Sequence, residues 1–256
     1  MSTKLEYKDL LDAGVHFGHL TRKWDPKMAP YIFTEKNGIH IIDLNKTLSS
    51  LDNACEAVKN IVRSGRKVMF VATKKQAKDV VVEQATKLNM PFVTERWLGG
   101  MLTNFTTVRK SIKKMSSIAK LEKDDTYKYI AKRERLMLTR EKDKLNRVLG
   151  GISDLTRLPA ALFVIDVKKE HIAIAEAKKL NIPVFAICDT NSNPEIVDFA
   201  IPGNDDSFQS VQVIVDAFAA AIEEGLSERK KAREEQKKQE EIDAKKSADE
   251  SEKVAE

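Results

Sequence analysis

The sequence predicts an α/β fold, a parallel sheet with helices packed on both faces, and three observations carry that prediction. Four short apolar runs rich in Val, Ile and Phe recur: "KVMFVAT" (67–73), "PFVTE" (91–95), "ALFVID" (161–166) and "PVFAICD" (183–189). Continuous runs of this kind suit strands buried on both faces of a parallel sheet. Helical patterns separate them, "KKQAKDVVVEQATKL" (74–88) and "KKEHIAIAEAKKL" (168–180). Two junctions, "KLNMPFV" and "KLNIPVF", repeat one device, in which the helix ends at Asn and Pro leads into the next strand. Strand and helix alternating in this way call for right-handed crossovers in one sheet.

The remaining elements follow in order. "MSTKLEYKDLLDAG" lacks the apolar stretch of a signal peptide and is too acidic for an organelle transit peptide. "YIFTEKNGIHIID" (31–43) reads as a hairpin turning at Asn37-Gly38. "LNKTLSSLDNACEAVKNIVRSG" (44–65) is a long helix that stops at Gly65. Residues 104–149 interrupt the alternation. Phe105, Val108, Ile112, Met115 and Ala119 follow a 3-4-3-4 spacing, and Leu138, Glu141, Leu145 and Val148 do so less cleanly. "KDDT" (123–126) divides the two halves, which gives an inserted antiparallel coiled-coil hairpin turning near Asp124-Asp125. "SFQSVQVIVDAFAAAIEEG" (207–225) is a final amphipathic helix. The expected organisation is an α/β domain with an N-terminal extension over 1–103 and 150–225, the basic hairpin over 104–149, and a charged tail over 226–256. The tail is nearly free of large apolar groups, so it is expected to be disordered or a frayed solvated helix, and a chain ending at Gly225 is expected to melt like the whole.

With 256 residues, 42% of them hydrophobic, the chain can bury a sizeable core. No run of eighteen apolar residues occurs, which argues against a spanning helix. Cys55 and Cys188 stand far apart inside apolar patterns and read as buried thiols of a reducing, cytosolic compartment. The net charge is +5, but residues 104–149 alone carry +8, the tail −1 and everything else −2. One segment supplies the positive charge, which points to a polyanionic partner.

Three chemistries can be weighed. A dinucleotide or phosphate loop needs glycine backbone straight after a strand, and "ATKKQAKD" has none there. The glycine pairs Gly99-Gly100 and Gly150-Gly151 bracket the insertion and serve to turn the chain out of the domain and back. Catalysis would need a nucleophile, a base and an orienting group, and no spacing supplies that order. "HFGH" sets His16 and His19 three apart, nearly on one helical face, so a metal is chemically conceivable with Asp205 and Asp206 of "GNDD". Packing of those histidines at the domain edge is the plainer reading. Nucleic acid fits best: Arg and Lys neutralise phosphates, and Trp stacks on bases. "TRKWDPK" and "ERWLGGMLTNF" each place Trp beside Arg, although Trp24 and Trp97 suit a core or a hinge equally well.

From about Lys8 to Gly225 the chain resembles a known family, the second protein of the small ribosomal subunit in its bacterial form. The likeness rests on "AGVHFGHLTRKWDPKMAPYIF", "GIHIIDLNKT", "FVATKKQA", "RWLGGMLTNF", "LGGI", "EAKKLNIPVFAICDTN" and "IPGNDD", in that order. It implies a flavodoxin-like five-stranded parallel sheet with a protruding coiled-coil hairpin, the fifth strand falling at "FAIP" (199–202). It also implies a non-catalytic component of the cytoplasmic ribosome that contacts small-subunit ribosomal RNA between head and body. Neighbouring small-subunit proteins are the other implied partners, and in some bacteria the mRNA-binding first protein is among them. No cofactor, membrane or small-molecule substrate is implied. The expected RNA-facing residues are Arg22, Lys23, Trp24, Lys27, Lys74, Lys75, Arg96, Asn104, Arg109, Lys110, Lys113, Lys114, Arg133, Arg135 and Arg140. An α/β enzyme with altered motifs and a protein-binding coiled-coil adaptor are the competing readings.

Overall fold

A computed structural model describes residues 5–124, 127 and 129–253, with side chains through residue 234. After α1 (Tyr7–Asp12), the strands β1 (Phe17–Leu20), β2 (Ile32–Lys36) and β3 (Ile39–Ile42) form a small antiparallel sheet in the order β1-β3-β2. Asn37 and Gly38 both take positive φ, 55° and 74°, as a tight two-residue hairpin turn requires. The strand β1 corrects the sequence reading, which put His16 and His19 on a helical face. "FGHL" is extended because it pairs with "IHII" of β3, a tertiary partner that local pattern does not reveal. His16 lies in the turn before the strand and His19 within it, so the two share no helical face.

Next come α2 (Leu44–Arg63), β4 (Val68–Val71), α3 (Lys75–Lys87) and β5 (Phe92–Val93). The insertion follows as α4 (Phe105–Leu121) and α5 (Lys132–Leu149), and then β6 (Ala161–Ile165), α6 (His171–Lys179), β7 (Val184–Cys188), β8 (Phe199–Pro202) and α7 (Phe208–Lys253). All pairings in the large sheet are parallel, in the order β5-β4-β6-β7-β8. This is the flavodoxin-like doubly wound order, with its switch point between β4 and β6. The fifth strand implied by the resemblance is β8. Asn89 and Asn181, the two repeated helix ends, both sit at φ 53°, the left-handed cap that Asn tolerates.

Alternate residues of each strand feed two cores. Phe70, Phe163 and Phe185 point to the face covered by α2, α3 and α7, where Phe218 meets them at ring distances of 4.2 to 6.3 Å. Met69, Leu162, Val164 and Ala186 point to the other face, under α6 and the base of the insertion: Trp97, Met101, Leu102, Leu149 and Ile152. Each fully buried Phe contributes about 2 kcal/mol or more, and Phe163→Ala would cost about 3–5 kcal/mol through the cavity it leaves.

The helices α4 and α5 pack along Ile112, Met115 and Ile118, with Leu145 and Val148 half-buried. Ile118 is buried here and Ala119 only partly, so the seam ends one position earlier than the spacing suggested. Cross-helix ion pairs Lys114–Glu141 and Lys142–Glu122 flank it. Asp125 and Thr126 of the expected turn lie outside the described residues, as do residues 254–256 of the tail. The last helix runs without a break from the core into the tail. Leu226 packs on the core, Lys59 pairs with Glu228, and the Arg229 guanidinium lies over Gly65. The tail's first turn is therefore docked on α2.

Candidate nucleic-acid interface

The face of α4 turned away from α5 begins from a sequence spacing. Arg109, Lys113, Ser116, Ser117 and Lys120 recur every three or four residues and so share one side of a helix. Across from them lies the return segment with Ser153, Leu155 and Thr156. Between the two is an open groove of about 330 Å³ floored by Ile112. Among the described residues no carboxylate pairs with Arg109, Lys113 or Lys120, whereas Lys114 on the α5 side is paired with Glu141. Three uncompensated cations and four hydroxyls along one groove form a surface for a polyanion.

A second cluster sits at the C-terminal edge of the large sheet, where a doubly wound fold would bind a ligand. The strands β6, β7 and β8 deliver Asp166, Asp189, and Asp205 with Asp206; the turn after β4 delivers Lys74. The Lys74 ammonium lies 2.7 Å from Asp205 Oδ1 and 3.8 Å from Asp166 Oδ2, and it also pairs with Asp206. From the small sheet, β1 lays His19 across the edge: Nδ1 is 2.8 Å from Asp189 Oδ2 and Nε2 is 3.4 Å from Asp206 Oδ2. The His19 backbone N–H donates to Thr190 Oγ1 at 2.8 Å. Gly18 is obligatory beside it, since a Cβ there would come within 2.6 Å of Thr190 Cγ2. Burial pushes Asp205 up to about 7, reinforced by Asp189 and opposed by Lys74. The contact with Asp189 raises His19 against the effect of burial.

Donor atoms of His19, Asp189, Asp205 and Asp206 lie within 4.8 Å of one another. One imidazole nitrogen with three carboxylates suits a borderline divalent cation such as zinc. Asp189 Oδ2 is buried and its near neighbour is His19 Nδ1 at 2.8 Å, so the imidazole holds the place that a cation would share. His16, the other expected candidate, stands outside the group against Phe17. At the switch point itself, the Glu170 carboxylate accepts from Thr73 N at 3.2 Å and from the Thr73 hydroxyl, and Lys169 Nζ donates to Thr73 O at 3.0 Å. The crevice is filled by the protein's own side chains.

The third construction is the crossing from the body into α4. Backbone N–H groups of Gly100, Leu102 and Thr103 converge on an anion as they would on a phosphate, but the anion is the carboxylate of Glu176 on α6. The Trp97 indole and Thr103 hydroxyl donate to it as well. Burial opposes its ionisation, yet these bonds outweigh burial and hold the carboxyl below its ordinary value. Gly100, at φ +86°, makes the turn.

The structure sorts the expected RNA-facing residues. Arg22, Lys23, Lys75, Arg96, Arg109, Lys110, Lys113, Arg133 and Arg140 are exposed. Trp24 is 38% exposed and tilts against His40, while Trp97 is core. Lys74 differs from the others, because its ammonium is paired with the internal carboxylates Asp166, Asp205 and Asp206. Lys27 and Lys114 are exposed but paired, with Glu195 and Glu141. Asn104 precedes α4, its Oδ1 accepting from Thr107 Oγ1 at 2.9 Å. The Arg135 guanidinium turns back to Tyr127, 5.8 Å from the ring centroid. Sequence reasoning missed Lys120, legible as the next turn of the same stripe, and Glu176, whose signal is one acidic residue on the apolar face of α6. It also missed an apolar groove of about 490 Å³ beside the small sheet, lined by Tyr7, Leu11, Phe17 and Phe33, the last 74% exposed.

Against known proteins, the family model described as Ribosomal protein S2 matches residues 10–225. The small ribosomal subunit protein uS2 of Cytophaga hutchinsonii is 68% identical over 252 residues, covering 98% of this chain and 99% of that one. That of Flavobacterium johnsoniae is 60% identical over 229 residues, 90% of each chain. The protein of the same name from Bacteroides thetaiotaomicron is 62% identical over 228 residues, 89% of this chain and 82% of that one.

Proposed function

The chain belongs to the ribosomal protein S2 family and is a structural, non-enzymatic component of the small ribosomal subunit, and on that footing we propose that the free face of α4 is its principal contact with ribosomal RNA. In this reading the protein works in translation, in the cytoplasm, seated between head and body of the subunit. The observation that carries the RNA contact is the groove of Arg109, Lys113 and Lys120, whose cations have no carboxylate partner among the described residues. Leaving three ammonium and guanidinium groups together is unfavourable without an anion, and a phosphate backbone supplies one. The hydroxyls of Ser116, Ser117 and Thr156 add neutral donors suited to phosphate oxygens.

The exposed cations Arg22, Lys23, Lys75, Arg96, Lys110, Arg133 and Arg140 are further candidate phosphate contacts. Neighbouring ribosomal proteins are the remaining partners. The apolar groove at Phe17 and Phe33 is the surface offered to one of them, and the mRNA-binding first protein is the candidate that the resemblance brings. The test of the RNA reading is the full-length triple variant R109E/K113E/K120E, added to small subunits that lack this protein. It should fold and fail to bind, whereas equal binding by variant and parent would overturn the reading.

A further inference from the structure

We propose that Glu176 is the positioning residue of the RNA interface, setting the angle at which α4 and its cationic groove leave the body. The inference rests on the RNA-binding reading above, and its basis is the convergence of five donors on one side chain. Oε1 accepts from Trp97 Nε1 at 3.1 Å and Gly100 N at 2.7 Å. Oε2 accepts from Leu102 N at 2.9 Å, Thr103 N at 3.0 Å and Thr103 Oγ1 at 3.2 Å. The carboxylate is fixed to the body, because Ala173, Ile174 and Ala177 around it bury α6 against the sheet. The donors all lie on the crossing, and Asn104 continues it directly as the residue before α4, its N–H bonding Gly100 O at 2.8 Å and its Oδ1 accepting from Thr107 Oγ1 in the first turn at 2.9 Å.

Nothing softer lies between clamp and helix. Thr103 is held by the carboxylate and α4 starts at Phe105. A helix of 17 residues is roughly 25 Å long, so a tilt of about 10° at its base would move the far end by roughly 4 Å. That displacement exceeds a hydrogen-bond length, enough to lose register with a fixed row of phosphates. The chemistry needs a carboxylate in particular. Two donors meet one oxygen and three the other, and an amide presents only one acceptor oxygen.

Glu176→Gln keeps the volume and turns an NH₂ group toward two or three N–H and O–H donors. In the full-length chain, hydrogen exchange at Gly100, Leu102 and Thr103 should rise by about tenfold or more. Affinity for small subunits lacking this protein should fall by about tenfold, through poorer preorganisation. Glu176→Asp, which keeps both oxygens on a shorter arm, should recover part of each. Val62→Ala, a cavity on the opposite face of the sheet, serves as the stability control: it should lower the melting temperature and leave affinity untouched well below melting. Parental affinity for Glu176→Gln alongside a non-binding R109E/K113E/K120E would overturn the positioning role alone. Affinity loss for Glu176→Gln no greater than for an equally destabilised Val62→Ala would reduce Glu176 to a stability residue. If the groove variant also binds like the parent, the RNA reading itself fails.

Discussion

The sheet edge and the outer face of α4 are both dense in charge, and they dispose of it in opposite ways. At the edge, Lys74 and His19 are enclosed by Asp166, Asp189, Asp205 and Asp206, so no positive field escapes. On α4, Arg109, Lys113 and Lys120 stand in a groove with hydroxyls and no acid. A lysine is therefore not an RNA contact by virtue of being a lysine beside a sheet edge. Whether a carboxylate reaches it first decides if its charge stays open to an outside anion, and that is a property of the fold.

The contrast is most exposed to test at the groove. R109E/K113E/K120E should lower subunit affinity by two orders of magnitude or more and flatten the log–log salt dependence by about 0.9 for each duplex phosphate left unneutralised. Melting should be unchanged, because none of the three side chains is buried. Lys74→Met should do the reverse. Removing the ammonium leaves buried Asp205 facing like charges, so stability should fall by about 3 kcal/mol by denaturant titration, with the salt slope intact. A shallower slope for Lys74→Met would make it an RNA contact after all.

Smaller effects refine the picture. Glu176 is held below its ordinary value, so its stabilisation is fully present above that value and is lost as the pH falls through the lower folded one. The stability gap between parent and Glu176→Gln should accordingly be constant near neutrality and close on acidification below about pH 4.5. Truncation after Gly225 should lower the melting temperature by roughly 3 °C, because Leu226, Glu228 and Arg229 dock on α2. Truncation after Glu234 should leave it unchanged. This revises the expectation that the whole tail is dispensable. At the small end, Lys27→Ala should produce no measurable change in melting, since Lys27 and Glu195 are both solvent-exposed.

Much of the fold was legible because its signals are local. The Val/Ile/Phe runs became strands, and the two "KLN-x-P" junctions became left-handed Asn caps before Pro-led strands. β8 was only weakly marked, and β1 was not marked at all, because "FGHL" owes its conformation to pairing with β3. The site divided in the same way. Arg109 and Lys113 were readable from helical spacing and net charge. The engagement of Lys74 was not, since its partners Asp166 and Asp205 lie 92 and 131 residues away in the chain. Glu176 was only half legible: an acid on the apolar face of α6 marks it as unusual, but its five donors come from residues 97–103, which no local pattern connects to it.

The strap formed by β1 has a consequence for the order of events at birth. His19 is bonded to Thr190 across 171 residues, and its other neighbours, Asp189 and Asp206, are among the last parts of the α/β body to be made. A nascent chain emerging amino-end first presents "VHFGHLTRKW" long before anything exists for it to rest on. Strand β3 arrives early enough to hold β1 in a small sheet, but that sheet must wait unseated until β7 and β8 have joined the large one. Contacts of this separation are slow to close and come after the local elements have formed. The small sheet should then be the last piece to settle during synthesis and, for as long as it waits, the part of the newborn chain most open to proteases and chaperones.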